Sequence, residues 1–381
     1  MNGENRIEVL RRRMAAEGVD LLIAASDGRH TLDRPDAVVH LTGYRSLGES
    51  VFLLDRDGPG ELIVSPAADA ERLAAQLRGS LSLATDDLAK AAAAELSKHP
   101  STPRRVAVAG MDSLPHRLAE KLQSFAGPAA RPFDKILLAL PGQKNSAEIA
   151  RMRRATEIAE KGFARLLEVA RAGMTEAQLA VELNCYTKSL GADDNFLMLC
   201  ASPHNSAVMP SSTRKLQPGD LLLTEFSPCF EGQFSQICRS TWIGAPGREL
   251  QQKYDLVVGA MQAGIKAVCP GVPVSRVCRA IDAVMESAGY AEYCRPPHMR
   301  RRGHGLGSGS VAPGDIALDN ETLLEENMCF IVHPNQYLPE VGYLLCGEPV
   351  RVTSSGVEIL SSRGAALEAI AVTPTGSAPC A

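Results

Sequence analysis

The sequence predicts two domains, an α/β N-terminal domain followed by a larger α+β domain. Three observations carry that expectation. The chain has 381 residues, enough for two hydrophobic cores. Strand-like and helix-like runs alternate over about the first 130 residues, the pattern of a compact α/β unit. Beyond residue 145, long capped helices alternate with a hairpin and later strand-like runs.

In the first domain, residues 5–17 place Ile7, Leu10 and Met14 at helical spacing, with arginines on the opposite face. Residues 19–25 read as a short buried strand. Residues 50–64 read as a hairpin around a Gly-Pro-Gly turn, and residues 106–109 as another buried strand. Residues 69–77, 88–96 and 115–125 read as helices. No glycine fingerprint follows the first strand, so a dinucleotide site is not expected. The domains are expected to span 1–138 and 139–372, with a tail at 373–381.

In the second domain, Asn145 or Ser146 is expected to cap a long helix to Val169. Ile149, Met152, Ala155, Ile158, Phe163 and Leu166 form its buried stripe. Thr175 is expected to cap a helix to about Leu190. Further helices are expected at 249–268 and 275–289, and strands at 328–332 and 343–353.

Composition narrows the function classes. Hydrophobic content of 45% and charged content of 22% are those of a soluble globular protein. A net charge of -4 gives no reason to expect nucleic acid or an anionic membrane as partner. No run approaches the ~20 apolar residues of a membrane span, and the polar start lacks a signal-peptide core. Ten cysteines without a Cys-x-x-Cys pair indicate neither a zinc ribbon nor a disulfide scaffold. A reduced cytoplasmic enzyme is expected.

The most informative run is residues 219–241, Gly-Asp, an apolar stretch, Glu225, and then Gln236-Ile-Cys-Arg-Ser-Thr241. It resembles the metal-binding hairpin of the pita-bread enzymes (methionine aminopeptidase, aminopeptidase P, prolidase and creatinase), whose peptidases carry two aspartates there, eleven residues apart. Other motifs follow in family order: Leu41-Thr-Gly-Tyr44, Asn205-Ser-Ala207, Arg214 to Asp220, Gly303-His-Gly-Leu-Gly307, Asn327 to Pro334 and Val352 to Leu360. The resemblance implies a creatinase- or prolidase-like N-terminal domain and a pita-bread catalytic domain.

The resemblance also implies a ligand set that this chain has lost. Of the family's Asp, Asp, His, Glu and Glu, the matching positions hold Glu225, Gln236, His304, His333 and either Cys346 or Gly347, with Glu348 adjacent. Paired divalent ions need several anionic oxygens, including a bridging carboxylate. No metal is therefore expected. A single zinc on Glu225, His304 and His333 is the minor chemical alternative.

Creatinase, which keeps this fold without metal, is the implied precedent. The expectation is a metal-independent hydrolase cleaving a C–N bond of a small carboxylate-bearing substrate. The alternatives are an Xaa-Pro aminopeptidase or prolidase-like metallopeptidase, a lyase of the same fold, or a non-catalytic binding domain. His304 or His333 would act as general base, with Glu225 and Glu348 at the wall of the site. Arg301 and Arg302, in the run His298-Met-Arg-Arg-Arg-Gly-His304, would hold a substrate carboxylate. The same residues read equally well as a solvated loop. His204 and Gln236 are further substrate-binding candidates. The family implies a homodimer in which Arg45 contributes to the partner's site. His40, His99 and His116 carry no expected role. Cys229 and Cys346 are more simply small buried hydrophobes than nucleophiles.

Overall fold

The computed structural model describes residues 6–76, 81–98, 105–139 and 143–372. His99 and the 373–381 tail lie outside the described residues, as do the first five residues. The chain divides into two compact units, Met1–Pro141 with Ser308–Ala312, and Gly142–Gly307 with Pro313–Ala381.

The first unit runs α1 (Arg6–Ala16), β1 (Leu21–Ser26), α2 (Ala37–Thr42), β2 (Ser50–Asp55), β3 (Gly60–Val64), α3 (Ala70–Gln76), β4 (Leu81–Ala84), α4 (Leu88–Ser97), β5 (Val106–Ala109), α5 (His116–Ala126), β6 (Arg131–Pro132) and α6 (Asp134–Ala139). Its six strands lie in the order β4-β3-β2-β1-β5-β6. β1 pairs antiparallel with β2 and parallel with β5. Alternate residues of β1 enter separate cores: Leu22 and Ala24 join one, Leu21, Ile23 and Ala25 the other. A strand covered on both faces reads as an unbroken apolar run, which is why it is visible in the sequence. The expected 50–64 hairpin is present as antiparallel β2 and β3. The Val38–Leu41 stretch is a short helix capped by Asp36, whose side chain accepts from the Val38 and Val39 amides.

The second unit begins with α7 (Ser146–Val169) and α8 (Glu176–Ser189), then β7 (Asp194–Ser202), β8 (Leu221–Phe230), β9 (Gln233–Phe234) and β10 (Ile237–Ile243). It continues through α9 (Arg248–Lys266), α10 (Val274–Ser287), β11 (Gly303–Gly305), β12 (Cys329–Val332), β13 (Gln336–Leu338), β14 (Gly342–Leu344), β15 (Glu348–Thr353), β16 (Gly356–Ile359) and β17 (Glu368–Ile370). Asn145 and Thr175 each form a reciprocal capping box at the helix they precede. One sheet has the order β17-β10-β8-β7, another the order β11-β12-β15-β16. Phe226 and Ile237 turn one face of the first sheet toward Phe163 and Leu166 of α7 and Leu183 of α8. Because side chains alternate across a strand, Glu225 and Cys238, which face each other across β8 and β10, point to the opposite face.

The two sheets are joined through the backbone. Cys238 and Gly347 exchange backbone hydrogen bonds, the Cys238 amide donating at 3.2 Å and the Gly347 amide at 3.0 Å. That junction interrupts the continuous strand expected over 343–353, leaving β14 and β15 on either side. Among the described residues, no helix is long and apolar enough to cross a membrane.

The α7 cap gives a direct stability test. Asn145→Ala should remove the side-chain acceptor of the Glu148 amide, leaving the backbone bond from residue 145 to Glu148, and lower unfolding free energy by about 1 kcal/mol. Urea denaturation reads this as a lower midpoint at unchanged slope, and an unchanged midpoint would contradict the assignment.

Candidate functional site

β11 brings His304 and the end of β12 brings His333 side by side. Their ring centroids are 5.4 Å apart with planes at 70°, an edge-to-face pair. Both residues are buried. His304 Nδ1 lies 3.0 Å from the Gly305 carbonyl oxygen. A carbonyl can only accept, so Nδ1 carries a proton. Burial pushes the His333 pKa well below the ordinary histidine value, and the charges of His304 and Arg301 add to the shift. His333 is therefore held neutral, and its Nδ1 is buried without a partner.

Glu225 stands in mid-β8 and accepts a hydrogen bond from Asn335 Nδ2 at 3.1 Å. Asn335 lies two residues beyond His333, in a turn where it adopts a left-handed φ of 42°. A short polar side chain tolerates that conformation best. Gln236 is 1% exposed, and its Oε1 has no partner. Ser227, two residues after Glu225 on the same strand face, likewise has an unpartnered hydroxyl. A buried polar group left unpaired costs about 1–3 kcal/mol, so this clustering around one carboxylate is costly to maintain. The Tyr343 phenol is shifted upward by burial, then by the charge of Glu225.

Arg302 holds this arrangement together. It is fully buried, and its Nε and Nη2 lie 2.8 and 2.7 Å from Asp282 Oδ1. Nη1 donates to the Pro334 carbonyl and to Gln336 Oε1, each at 2.8 Å. The Arg302 carbonyl accepts the His333 amide at 2.9 Å. Its guanidinium is thus occupied within the protein, where the sequence suggested a substrate clamp. Arg301 is 44% exposed and paired with Asp315 at 3.0 Å. An exposed pair of this kind is weak enough to be exchanged for a ligand carboxylate.

Glu348 also faces inward. It pairs with buried Arg239 at 2.9 Å, and Ser361 donates to it. Burial raises its pKa while Arg239 opposes the rise. Arg239 donates further to the carbonyls of Cys238, Gly347 and Arg363. The pair locks the segment that crosses between the two sheets. His204 Nε2 lies 3.0 Å from the Pro339 carbonyl, and its ring meets Tyr337 edge-on. Arg45 belongs to the first unit, where its carbonyl accepts from Arg72. Asn335, Ser227 and Tyr343 were missed by sequence reasoning. Only their long-range neighbours mark them, apart from the nearness of Asn335 to His333.

The residues do not fit a pair of divalent ions. Glu225 is the single carboxylate of the replaced ligand set, and Gln236 offers a neutral amide. Of the two candidates for the fifth position, Cys346 and Gly347, neither is a carboxylate, and Gly347 has no room for a side chain. A Cβ there would fall 2.7 Å from His333 Cβ and 3.1 Å from Cys238 Cβ. Among the described residues, no three His, Cys, Asp or Glu side chains are grouped to hold a metal ion, the set Glu225, His304 and His333 included.

Two measurements follow. Glu348→Leu should cost about 3–5 kcal/mol by leaving the buried Arg239 charge without its counter-ion, whereas the double change Arg239→Met with Glu348→Leu should cost less than the sum of those two single changes. Additive losses in that cycle would contradict the pairing. The His333 shift also fixes a pH dependence. Above an ordinary pKa of about 6.5, both folded and unfolded states keep the ring neutral. As pH falls below it, the unfolded chain takes a proton that the folded chain refuses, so stability drops. Melting temperatures from pH 7.5 to pH 5 should therefore fall less steeply in His333→Gln than in the wild type. Parallel curves would contradict a neutral His333.

Comparison with known proteins agrees with this architecture. Residues 150–368, more than half of the chain, match the model of metallopeptidase family M24. An uncharacterized peptidase of Staphylococcus aureus (strain MW2) is 26% identical over 86% of this chain and 92% of its own length. Among solved structures, the prolidase from Thermococcus sibiricus superposes with a TM-score of 0.82 at 22% identity, covering 97% of this chain and 99% of that one. Dipeptidase PepE from Mycobacterium ulcerans gives 0.78 at 25%, covering 96% and 97%. X-Pro aminopeptidase from Thermotoga maritima gives 0.79 at 20%, covering 96% and 100%. The chain has the two-domain creatinase/prolidase architecture and belongs to metallopeptidase family M24, without an intact metal-binding cluster among its described residues.

Proposed function

We propose that this chain is a hydrolase that cleaves the C–N bond of a small carboxylate-bearing substrate without metal. The observation that carries the reading is the imidazole pair at 5.4 Å, set beside a single buried carboxylate held by Asn335. The likeness to prolidases and X-Pro peptidases favours an amide bond in a short peptide as the scissile bond.

In this reading, His304 Nε2 removes a proton from the attacking water, since its Nδ1 proton is committed to the Gly305 carbonyl. His333, held neutral by burial, orients that water or the substrate carbonyl. Glu225 steadies the cation that forms on His304. The leaving nitrogen takes its proton from the same imidazolium. Arg301 receives the substrate carboxylate by exchanging its contact with Asp315. His204 and Gln236 stay in the proposal as substrate contacts. A homodimer in which Arg45 reaches the partner's site also stays in it.

A metallopeptidase of the Xaa-Pro type is the second reading, favoured by the family and by the solved neighbours. One assay separates the two. Release of proline from alanyl-proline should persist in millimolar EDTA and fall by about 10² to 10⁴-fold in His304→Ala. Activity that EDTA abolishes and Mn²⁺ restores would establish the second reading instead. In the same assay, Arg301→Ala and Arg45→Ala should each raise KM at nearly constant kcat, and an unchanged KM removes that residue from the site.

A further inference from the structure

We infer that the polar cluster around Glu225 binds an organic ammonium group, in the place where a metal-bearing member of the family would hold its ions. The inference rests on the proposed function only in taking that ammonium as one end of the substrate.

Four buried polar atoms here lack a partner among the described residues: Ser227 Oγ, Gln236 Oε1, Asn335 Oδ1 and His333 Nδ1. Their residues are 0%, 1%, 5% and 6% exposed. The Asn335 amide has a defined orientation. Its nitrogen donates to the Glu225 carboxylate, which can only accept, so the unpartnered end is the oxygen.

Backbone register brings these residues together. Glu225 faces Cys238 across the β8–β10 pair, and in extended chain residues two apart share a face. Ser227 therefore lies on the face of Glu225, and Gln236 on that of Cys238. A side chain at Gly347 would meet both Cys238 and His333, so the imidazole borders the same face.

The chemistry of the set selects the ligand. Each unpartnered atom can accept a hydrogen bond, and the carboxylate adds a negative charge. An ammonium group presents three N–H donors and no acceptor. A ligand carboxylate would be repelled by Glu225 and would meet acceptors. The neighbouring guanidinium groups do not oppose a cation strongly, because Arg302 is paired with Asp282 and Arg301 with Asp315. Tyr343 adds a phenol near Glu225, raised in pKa first by burial and then by the charge of Glu225. Paired divalent ions would need anionic oxygens that Gln236 and Gly347 do not supply. One monovalent nitrogen cation needs only one carboxylate with neutral acceptors around it.

The test uses the full chain, labelled with ¹⁵N, in buffer containing EDTA. The side-chain amide resonances of Gln236 and Asn335 are assigned from Gln236→Leu and Asn335→Leu. Titration with methylammonium chloride should shift both resonances saturably, while equal sodium chloride or N-methylacetamide should not. Glu225→Gln, checked for folding by circular dichroism, should weaken the methylammonium response at least tenfold. No response, or the same response to sodium chloride, overturns the inference and assigns the unpartnered atoms to water. Omitting EDTA provides a second arm, in which stoichiometric Mn²⁺ that abolishes the methylammonium response would also overturn it. Hydrolysis is not read in this experiment. Cation binding without peptide cleavage would leave this inference standing while the proposed reaction fails, and cleavage without cation binding would do the reverse.

Discussion

The geometry of the site depends on one buried guanidinium. Arg302 is sealed against Asp282, and its remaining nitrogens and its carbonyl fasten Pro334, Gln336 and His333. Asn335 sits within that fastened turn and reaches across to Glu225. His304 follows two residues after Arg302 on the same stretch of chain. A buried ion pair is weak evidence for stability, because desolvation offsets most of its attraction. Its value here is positional, since the fork accepts only one arrangement of the 333–336 turn.

The second constraint is the junction between the sheets. Cys238 and Gly347 bond to each other through the backbone, and the Arg239–Glu348 pair locks the same crossing from behind. Close approach at that point leaves His333 and Cys238 filling the space a side chain at 347 would occupy. The absence of a side chain at 347 and the placement of the His333 imidazole are thus linked through packing. A carboxylate placed at 347 would meet His333 and Cys238.

Much of this fold was legible in the sequence, for identifiable reasons. Helix α7 was visible from its cap and its buried stripe, and both agree with the structure to within a residue. Strand β7, which lies beside β8, was not visible, because it starts at Asp194-Asn195 and shows no clean alternation. The strand break at 345–347 was equally hidden, since it follows from a bond to Cys238 more than a hundred residues away. Of the candidate site, Glu225, Gln236, His304 and His333 were picked out by the order of the family's segments, and the structure sets His304 beside His333. The roles of the charged residues were not legible. An arginine triplet reads alike whether it awaits a ligand or an internal partner, and only long-range folding sets Arg302 on Asp282 and leaves Arg301 near the surface. Glu348 differs from a wall carboxylate only through Arg239, which lies in another sheet.

The central claim is that an imidazole pair and one carboxylate occupy the place where the family's metal chemistry is performed. Anomalous diffraction from crystals grown with millimolar Mn²⁺, recorded near the manganese edge, tests it most directly. The account predicts no anomalous peak within coordination distance of Glu225, His304 and His333. Two adjacent peaks there, a few ångströms apart and bridged by Glu225, would contradict it.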